Sequence, residues 1–391
     1  MSHIVDFRIE GLAGRQDPFE ATMDRHLNVF FGLNGCGKTS LLKILHSAMN
    51  NDASLLVRVP FTSASVTIHS IDLNKDFTRT TIKPVALQSP GIEGPLEIRI
   101  EEGIRYMSVA QPEMEGVQWK TIPMDEKAST MKWNHRYLPT SRLLIGGFDM
   151  SRWLLRHERL SMSEEQIDAF FAESIKRLWV NYTSKLLSRI RKAQEAGLAS
   201  ILKAVLSPRL RSSVKLATEL DSHQAYERMK KFVTRQGSPR LLPQEEDFKK
   251  RFKAEIMLRR VVLDIDKIEN EIEEASSPRK QLEELVSSLF SGGKNLAFTD
   301  QSIEIKAASG ADIGLASLSS GEKHLLMLLV DTLLAEGNSM LIDEPEISMH
   351  VDWQRKLIQI MRMLSPQAQI IVATHSPEIM ADIADEFIKR M

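Results

Sequence analysis

Gly32-Leu-Asn-Gly-Cys-Gly-Lys38-Thr39 decides how this chain is read. Glycine, four residues, then Gly-Lys-Thr is the spacing of a phosphate-binding loop. It lies between an apolar run, Leu27 to Phe31, and a helical stretch, Ser40 to Met49. The chemistry needs that order. Glycines at 32, 35 and 37 let backbone N–H groups converge on phosphate oxygens with no Cβ in the way. The helix start adds partial positive charge. Lys38 is placed to reach the β and γ phosphates of ATP, and the Thr39 hydroxyl to ligate Mg2+. Asn34, Cys36 and Ser40 complete the ATP-binding set.

Working outward, a second site element follows far along the chain. Ser339-Met-Leu-Ile-Asp343-Glu344 is an apolar strand ending in two acids. Strand ends of a parallel α/β sheet face the ligand crevice. Asp343 is thereby expected at the metal, and Glu344 as the catalytic group that polarises water for attack on the γ phosphate.

The motif order now carries a resemblance. Leu318-Ser319-Ser320-Gly321-Glu322 resembles the signature of the ABC-type ATPase family. Pro345-Glu-Ile-Ser348-Met-His350 is similar to its D-loop, and Thr374-His375-Ser376-Pro377 to its switch histidine. Ser320 stands where many transporters have glycine, and the family's Q-loop glutamine is not placed; Gln111 and Gln88 are both candidates. Asp343-Glu-Pro-Glu-Ile-Ser-Met-His and Ala373-Thr-His-Ser-Pro bring the chain closer to the SMC-like and overcoming-lysogenization-defect group of AAA ATP-binding proteins.

The resemblance implies an ATPase that works as a homodimer or higher homo-oligomer. ATP lies between the loop of one copy and the signature of another. Ser319, Ser320, Gly321 and Glu322 would then act in trans, His375 would be catalytic at the γ phosphate, and Ser348 would couple the two sites. Relatives of this build often serve in bacterial anti-phage defence, beside a separate effector that is a nuclease or toxin. The implied alternative is an SMC-like ATPase of DNA repair or maintenance that grips DNA. A transporter subunit fits less well, because of the basic helical insertion.

The rest of the chain fixes the expected organisation. Residues 4–10 alternate like a half-buried strand, and Gly11 to Asp24 reads as loop. Leu55 to about Trp133 reads as strand throughout, beginning with Leu55-Leu-Val-Arg-Val and closed by Arg136 to Arg142. Ile167, Phe171, Ile175, Leu178, Tyr182, Leu186 and Ile190 recur at helical spacing, with Gly197 as an end or interruption. A second helix is predicted from about Gln244 to Glu274, with Pro278 separating it from a shorter one. The fold class expected is α/β, an ABC-type P-loop head with a mixed or parallel sheet and an antiparallel β subdomain. A coiled-coil-like helical arm is inserted in it. Head lobe 1 is expected at 1–150, the arm at 151–295 and head lobe 2 at 296–391.

Composition narrows the classes. Of 391 residues, 42% are hydrophobic and 26% charged, as in ordinary soluble domains. The longest apolar run, Leu325 to Leu334, contains Asp331 and is too short to span a bilayer. With no signal-peptide pattern and one cysteine, the expected location is the cytoplasm, with no membrane partner. The net charge of −1 hides an asymmetry. Lys176 to Arg260 holds 21 Lys and Arg against 8 Asp and Glu, a net +13, so the remainder carries −14. Two readings fit this basic stretch: a solvated helical face, or a landing site for nucleic acid or an acidic protein. Asp264, Asp266, Glu269 and Glu271 read as solvated charge on the polar side of the long helix. No nuclease domain is evident in this chain.

Overall fold

Ile4, Phe7 and Ile9 are the buried apolar residues of strand β1 (Ser2–Glu10); a bulge between Ile4 and Asp6 shifts the alternation and keeps all three inward. The structure, a computed structural model, describes residues 1–83, 96–101, 104–109, 118–123, 130–140, 164–206, 221–235, 237, 240, 242–290, 294–307 and 309–391. The chain divides into two compact units, 1–179 with 282–391, and 180–281.

In the first unit, β1 is followed by β2 (Phe19–Thr22), β3 (Leu27–Phe31) and helix α1 (Lys38–Asn50). Strands β4 (Ser63–Ser70), β5 (Lys75–Ile82), β6 (Leu96–Glu101), β7 (Ile104–Val109), β8 (Lys120–Ile122) and β9 (His135–Leu138) come next. Helices α2 (Glu164–Leu206), α3 (Ser222–Arg235), α4 (Glu245–Ala254) and α5 (Ile256–Leu289) form the middle. The chain then gives β10 (Lys294–Phe298), β11 (Ile303–Ala307), α6 (Ser320–Ala335), β12 (Ser339–Asp343) and α7 (Val351–Leu364). It finishes with β13 (Gln369–Thr374), the single turn α8 (Pro377–Met380) and β14 (Ile388–Arg390).

The α/β expectation holds. One sheet, in the order β14-β3-β13-β12-β9, is parallel at every pairing. Every residue of β12 and β13 is buried, which is why both have apolar centres, Met340 to Ile342 and Ile370 to Ala373, between polar ends. A second sheet, β2-β1-β4-β5-β8, is antiparallel. Helix α1 packs its Leu41, Leu42, Ile44 and Leu45 into one core with residues of both sheets. Gln369 ties the sheets together. Its amide accepts from Ile4 N and Ser339 Oγ, each at 2.8 Å, and donates to Ile4 O at 2.7 Å and Asp24 O at 2.9 Å. A buried amide so fully satisfied fixes one arrangement of the strands it joins.

Several local expectations need correction. Leu55 to Val59 is not strand: Ala53–Leu56 is a 3-10 turn, and the Asp52 side chain caps it by accepting from Ser54 N at 3.0 Å. Residues 19–22, read as loop, pair with β1. His135–Leu138 does not close the antiparallel sheet but forms the parallel edge beside β12. The predicted second helix breaks at Glu255, and Pro278 lies inside α5 rather than ending it. Gly197 does not interrupt α2: a Cβ there would collide with the Ile268 side chain, so glycine permits two helices of the second unit to approach. Also in that unit, Glu269 is buried, not solvated. It takes Arg235 Nη1 at 2.9 and 3.0 Å, while Arg228 pairs with Asp266 at 3.2 Å.

A buried arginine and a half-buried histidine hold α1 where the site needs it. The Arg79 guanidinium, fully buried over the Trp133 ring, donates to Ala48 O near the end of α1 and to Met131 O at 2.5 Å. Burial brings its pKa down to about 9. On the same helix, His46 meets His135 of β9, Nδ1 to Nε2, at 2.6 Å. His135 Nδ1 faces Trp133 O at 2.8 Å and so carries hydrogen, which makes its Nε2 the acceptor of His46 Nδ1–H.

Burial, reinforced by the neighbouring His135, lowers the His46 pKa to about 3 from an ordinary 6.5. The unfolded chain therefore takes up a proton near pH 6.5 that the fold refuses until far lower. Stability is full above pH 6.5 and falls as pH drops toward 3, with His46 accounting for about 2 kcal/mol by pH 5. Melting temperatures at pH 7.5 and 5.0 check this. His46→Phe, which keeps the stack on Tyr137, is expected to show the smaller acid-induced drop.

Candidate nucleotide site

The glycine loop joins the end of β3 to the start of α1 with the backbone the sequence requires. Gly35 has φ 85° and Gly37 φ 103°, both in the left-handed region. A Cβ on Gly32 would meet Cys36 Sγ and Met391, whereas Gly35 faces open space. Asn34 and Gly35 are exposed at the loop tip, and Ser40 lies in the first turn of α1.

Lys38 is 5% exposed and held inside its own loop. Its Nζ donates to Gly32 O at 2.8 Å and Leu33 O at 3.1 Å, and stands 3.4 Å from Glu344 Oε1. Thr39 Oγ1 donates to Asp343 Oδ2 at 2.8 Å, across a separation of 304 residues. Thr140 Oγ1, at the end of β9, donates to the same oxygen, also at 2.8 Å. Asp343 is fully buried at the end of β12.

Glu344 follows with φ 52°, a conformation costing a non-glycine residue on the order of 1 kcal/mol or more. Its backbone N–H donates to Ala373 O at 2.8 Å, which pins the turn to β13. Glu344 Oε2 meets His375 Nδ1. Glu346 Oε1 accepts from Thr374 Oγ1 at 2.5 Å and from the N–H groups of His375 and Ser376, each at 3.2 Å. Burial first, then the charge of Glu344, pushes the Glu346 carboxyl above its ordinary range; the Thr374 hydroxyl pulls the other way.

The signature-like residues lie at the start of α6. Ser319 is its N-cap in a capping box: Ser319 Oγ accepts from Glu322 N at 3.3 Å, and Glu322 Oε2 accepts from Ser319 N at 2.7 Å. Lys294 Nζ holds that carboxylate at 2.8 Å, which keeps the Glu322 side chain on the cap. Ser319 and Ser320 are exposed, while nearly all of α6 beyond them is buried. A Cβ on Gly321 would strike Ser348 O, so glycine lets the helix touch the segment after Glu344. Ser348 itself is exposed, with φ 61°.

The fold thus brings together Lys38, Thr39, Asp343, Glu344 and His375. Among the described residues, Ser319 hydrogen-bonds within its own helix start. Gln88 and Gln111 lie outside the described residues. Sequence reasoning missed Thr140 and Glu346. Thr140 carries no signal in its neighbourhood; Glu346 lies inside the quoted Asp343-Glu-Pro-Glu run and could have been weighed there.

Thr39 and Asp343 offer hard oxygen atoms at one point, a donor set that suits Mg2+. The open face of Gly35 leaves room for a phosphate against the loop. Glu344, Glu346 and His375 also place one ligand atom each within 4.8 Å of one another, a closeness that their mutual hydrogen bonds account for.

A parallel sheet whose strand ends carry a glycine loop, its lysine and a buried aspartate defines a P-loop ATPase. More narrowly, the chain belongs to the AAA ATPase domain family, whose model matches residues 3–380. Over 94 residues it is 31% identical to the "Retron Vc95 probable ATPase" of Vibrio cholerae serotype O1 biovar El Tor. That match spans 21% of this chain and 18% of the relative's own length. Among solved structures, an Smc head domain with an extended coiled coil from Pyrococcus furiosus is similar over 97% of this chain and 92% of that one, with 13% identity and a TM-score of 0.43. The SMC head domain of Thermotoga maritima is similar over 97% and 91%, with 10% identity and a TM-score of 0.39. Among the described residues, no helix is long and apolar enough to cross a membrane.

Proposed function

We propose that this protein is a dimerising ATP switch that controls a separate effector, a nuclease or toxin, in anti-phage defence. The observation that carries the reading is the exposed start of α6. Ser319 and Ser320 present a helix N-terminus outward from a helix that is otherwise buried. Such a terminus suits a phosphate. Supplied by a second copy, it closes over ATP held by Lys38. The relative named as a retron ATPase supports the setting in defence.

In this scheme the head comprises 1–150 and 296–391, the helical arm 151–295, and the protein works in the cytoplasm. Lys38 exchanges its contacts with the Gly32 and Leu33 carbonyls for the β and γ phosphates. Thr39 and Asp343 would hold Mg2+, which would supply charge neutralisation on the phosphates. Glu344 orients the attacking water and accepts its proton, the proton ending on the carboxylate. His375, hydrogen-bonded to Glu344, contacts the γ phosphate, and Ser348 faces the second copy. Hydrolysis removes the bond between the copies and ends the signal.

The second reading, an SMC-like ATPase that grips DNA, rests on the +13 charge of residues 176–260. Two of those charges are paired with acids from outside the stretch, Arg235 with Glu269 and Arg228 with Asp266. Pairing lowers what is left for phosphates and favours the switch.

One set of assays separates the readings. The switch predicts that ATPase activity per molecule falls on dilution and is indifferent to DNA. A DNA grip predicts stimulation by duplex DNA, with affinity lost by orders of magnitude between about 50 and 200 mM salt. Activity per molecule constant at every dilution would contradict the shared site.

A further inference from the structure

Glu346 has no part in the hydrolysis scheme above, yet one of its oxygens takes three hydrogen bonds beside it. Its side chain is 6% exposed. One oxygen, Oε1, takes the Thr374 hydroxyl and the backbone N–H groups of His375 and Ser376, and lies 3.3 Å from His375 Nδ1. Three consecutive residues therefore converge on one atom. They leave the end of β13 just where the strand pairing stops, so their donors need an acceptor from elsewhere. The acceptor comes from the segment leaving β12, two residues past Glu344.

The His375 ring is held from the same side. Both atoms that face its Nδ1, Glu344 Oε2 and Glu346 Oε1, are carboxylate oxygens. Carboxylates accept, so Nδ1 carries hydrogen, and the ring is oriented with Nε2 on its other edge. A second brace spans the two segments: Gln354 accepts from Ser376 Oγ at 2.9 Å and donates to Met349 O at 2.9 Å. Gln354 joins the Ser376 side chain to the Met349 backbone, whereas Glu346 also faces the ring.

We propose that Glu346 is a positioning residue for ATP hydrolysis, clamping Thr374 to Ser376 and fixing the His375 ring so that Nε2 faces the nucleotide. The proposal rests on the reading of His375 as the group that contacts the γ phosphate.

The test compares Glu346→Gln, His375→Ala and the double variant in the full chain, with Mg2+ and ATP. Glu346→Gln keeps the shape and an acceptor oxygen but removes the charge at Nδ1. The expected result is a kcat about 10- to 100-fold lower with KM for ATP within about threefold of the parent. The 15N shifts of the His375 ring should move as well. In the His375→Ala background, Glu346→Gln should add less than about twofold, because a residue acting through another has nothing left to act on. Thr374→Val, which removes one of the donors, should give a smaller loss with the same non-additivity, and serves if the glutamine variant is unstable. Parent-like kcat in Glu346→Gln, unchanged His375 ring shifts, or an equal loss with and without His375 would each overturn the proposal. Parent-like turnover in His375→Ala alone would instead remove the reading of His375, and the clamp's purpose with it.

Discussion

Glu344→Gln is expected to lower ATP turnover by about 10²- to 10⁴-fold while leaving ATP affinity within a few-fold of the parent. The substitution is nearly isosteric. It keeps an oxygen for Lys38, whose Nζ stands 3.4 Å from Glu344 Oε1, and the left-handed turn at φ 52° is set by the backbone bond to Ala373 O. What it removes is the capacity to take a proton from water. Binding and chemistry therefore separate: ATP is held and not consumed. Equilibrium binding of labelled ATP together with phosphate release at saturating ATP reads both. Turnover at the parent rate would take Glu344 out of the catalytic role.

Lys38→Ala acts one step earlier and should weaken ATP binding by about 100-fold or more. A buried charge-assisted contact to an anion is worth about 3 kcal/mol, and each 1.4 kcal/mol is tenfold. The phosphates lose their cation; the bonds to the Gly32 and Leu33 carbonyls at 2.8 and 3.1 Å are given up when Lys38 turns to ATP and so offset part of that loss rather than add to it. Lys38→Met, which keeps most of the buried stem, should bind nearly as poorly, since charge and not volume is what matters. Calorimetric titration with Mg-ATP reads the affinity; affinity within threefold of the parent in either variant would contradict the placement of Lys38.

The elements legible in the sequence are those whose chemistry needs neighbours along the chain. A phosphate loop needs its glycines and lysine within eight residues, and a strand end needs its two acids side by side. Both were readable without any knowledge of folding. Contacts made across the fold were not. Thr140 shares an oxygen of Asp343 with Thr39 although it lies 203 residues from Asp343. Glu269 reads as solvated because it is one acid among several, yet helical spacing sets it beside the buried Ile265 and Ile272, and Arg235 of α3 comes down on it. Local propensity also misled. Leu55 to Val59 is apolar enough for a strand, but Asp52 caps a 3-10 turn there. Gly197 and Pro278 are helix breakers by propensity, and both sit inside long helices held by packing. Glu346 was visible as part of Asp343-Glu-Pro-Glu, but its burial against Thr374 was not.

The shared site is tested most directly by the mass of Glu344→Gln in solution, measured by sedimentation with and without Mg-ATP, alone and combined with Ser319→Arg. The account predicts a monomer that becomes a dimer when ATP is added, and no dimer when Ser319 is also replaced, although ATP still binds. A monomer saturated with ATP, or a dimer that forms just as well without Ser319, would contradict it.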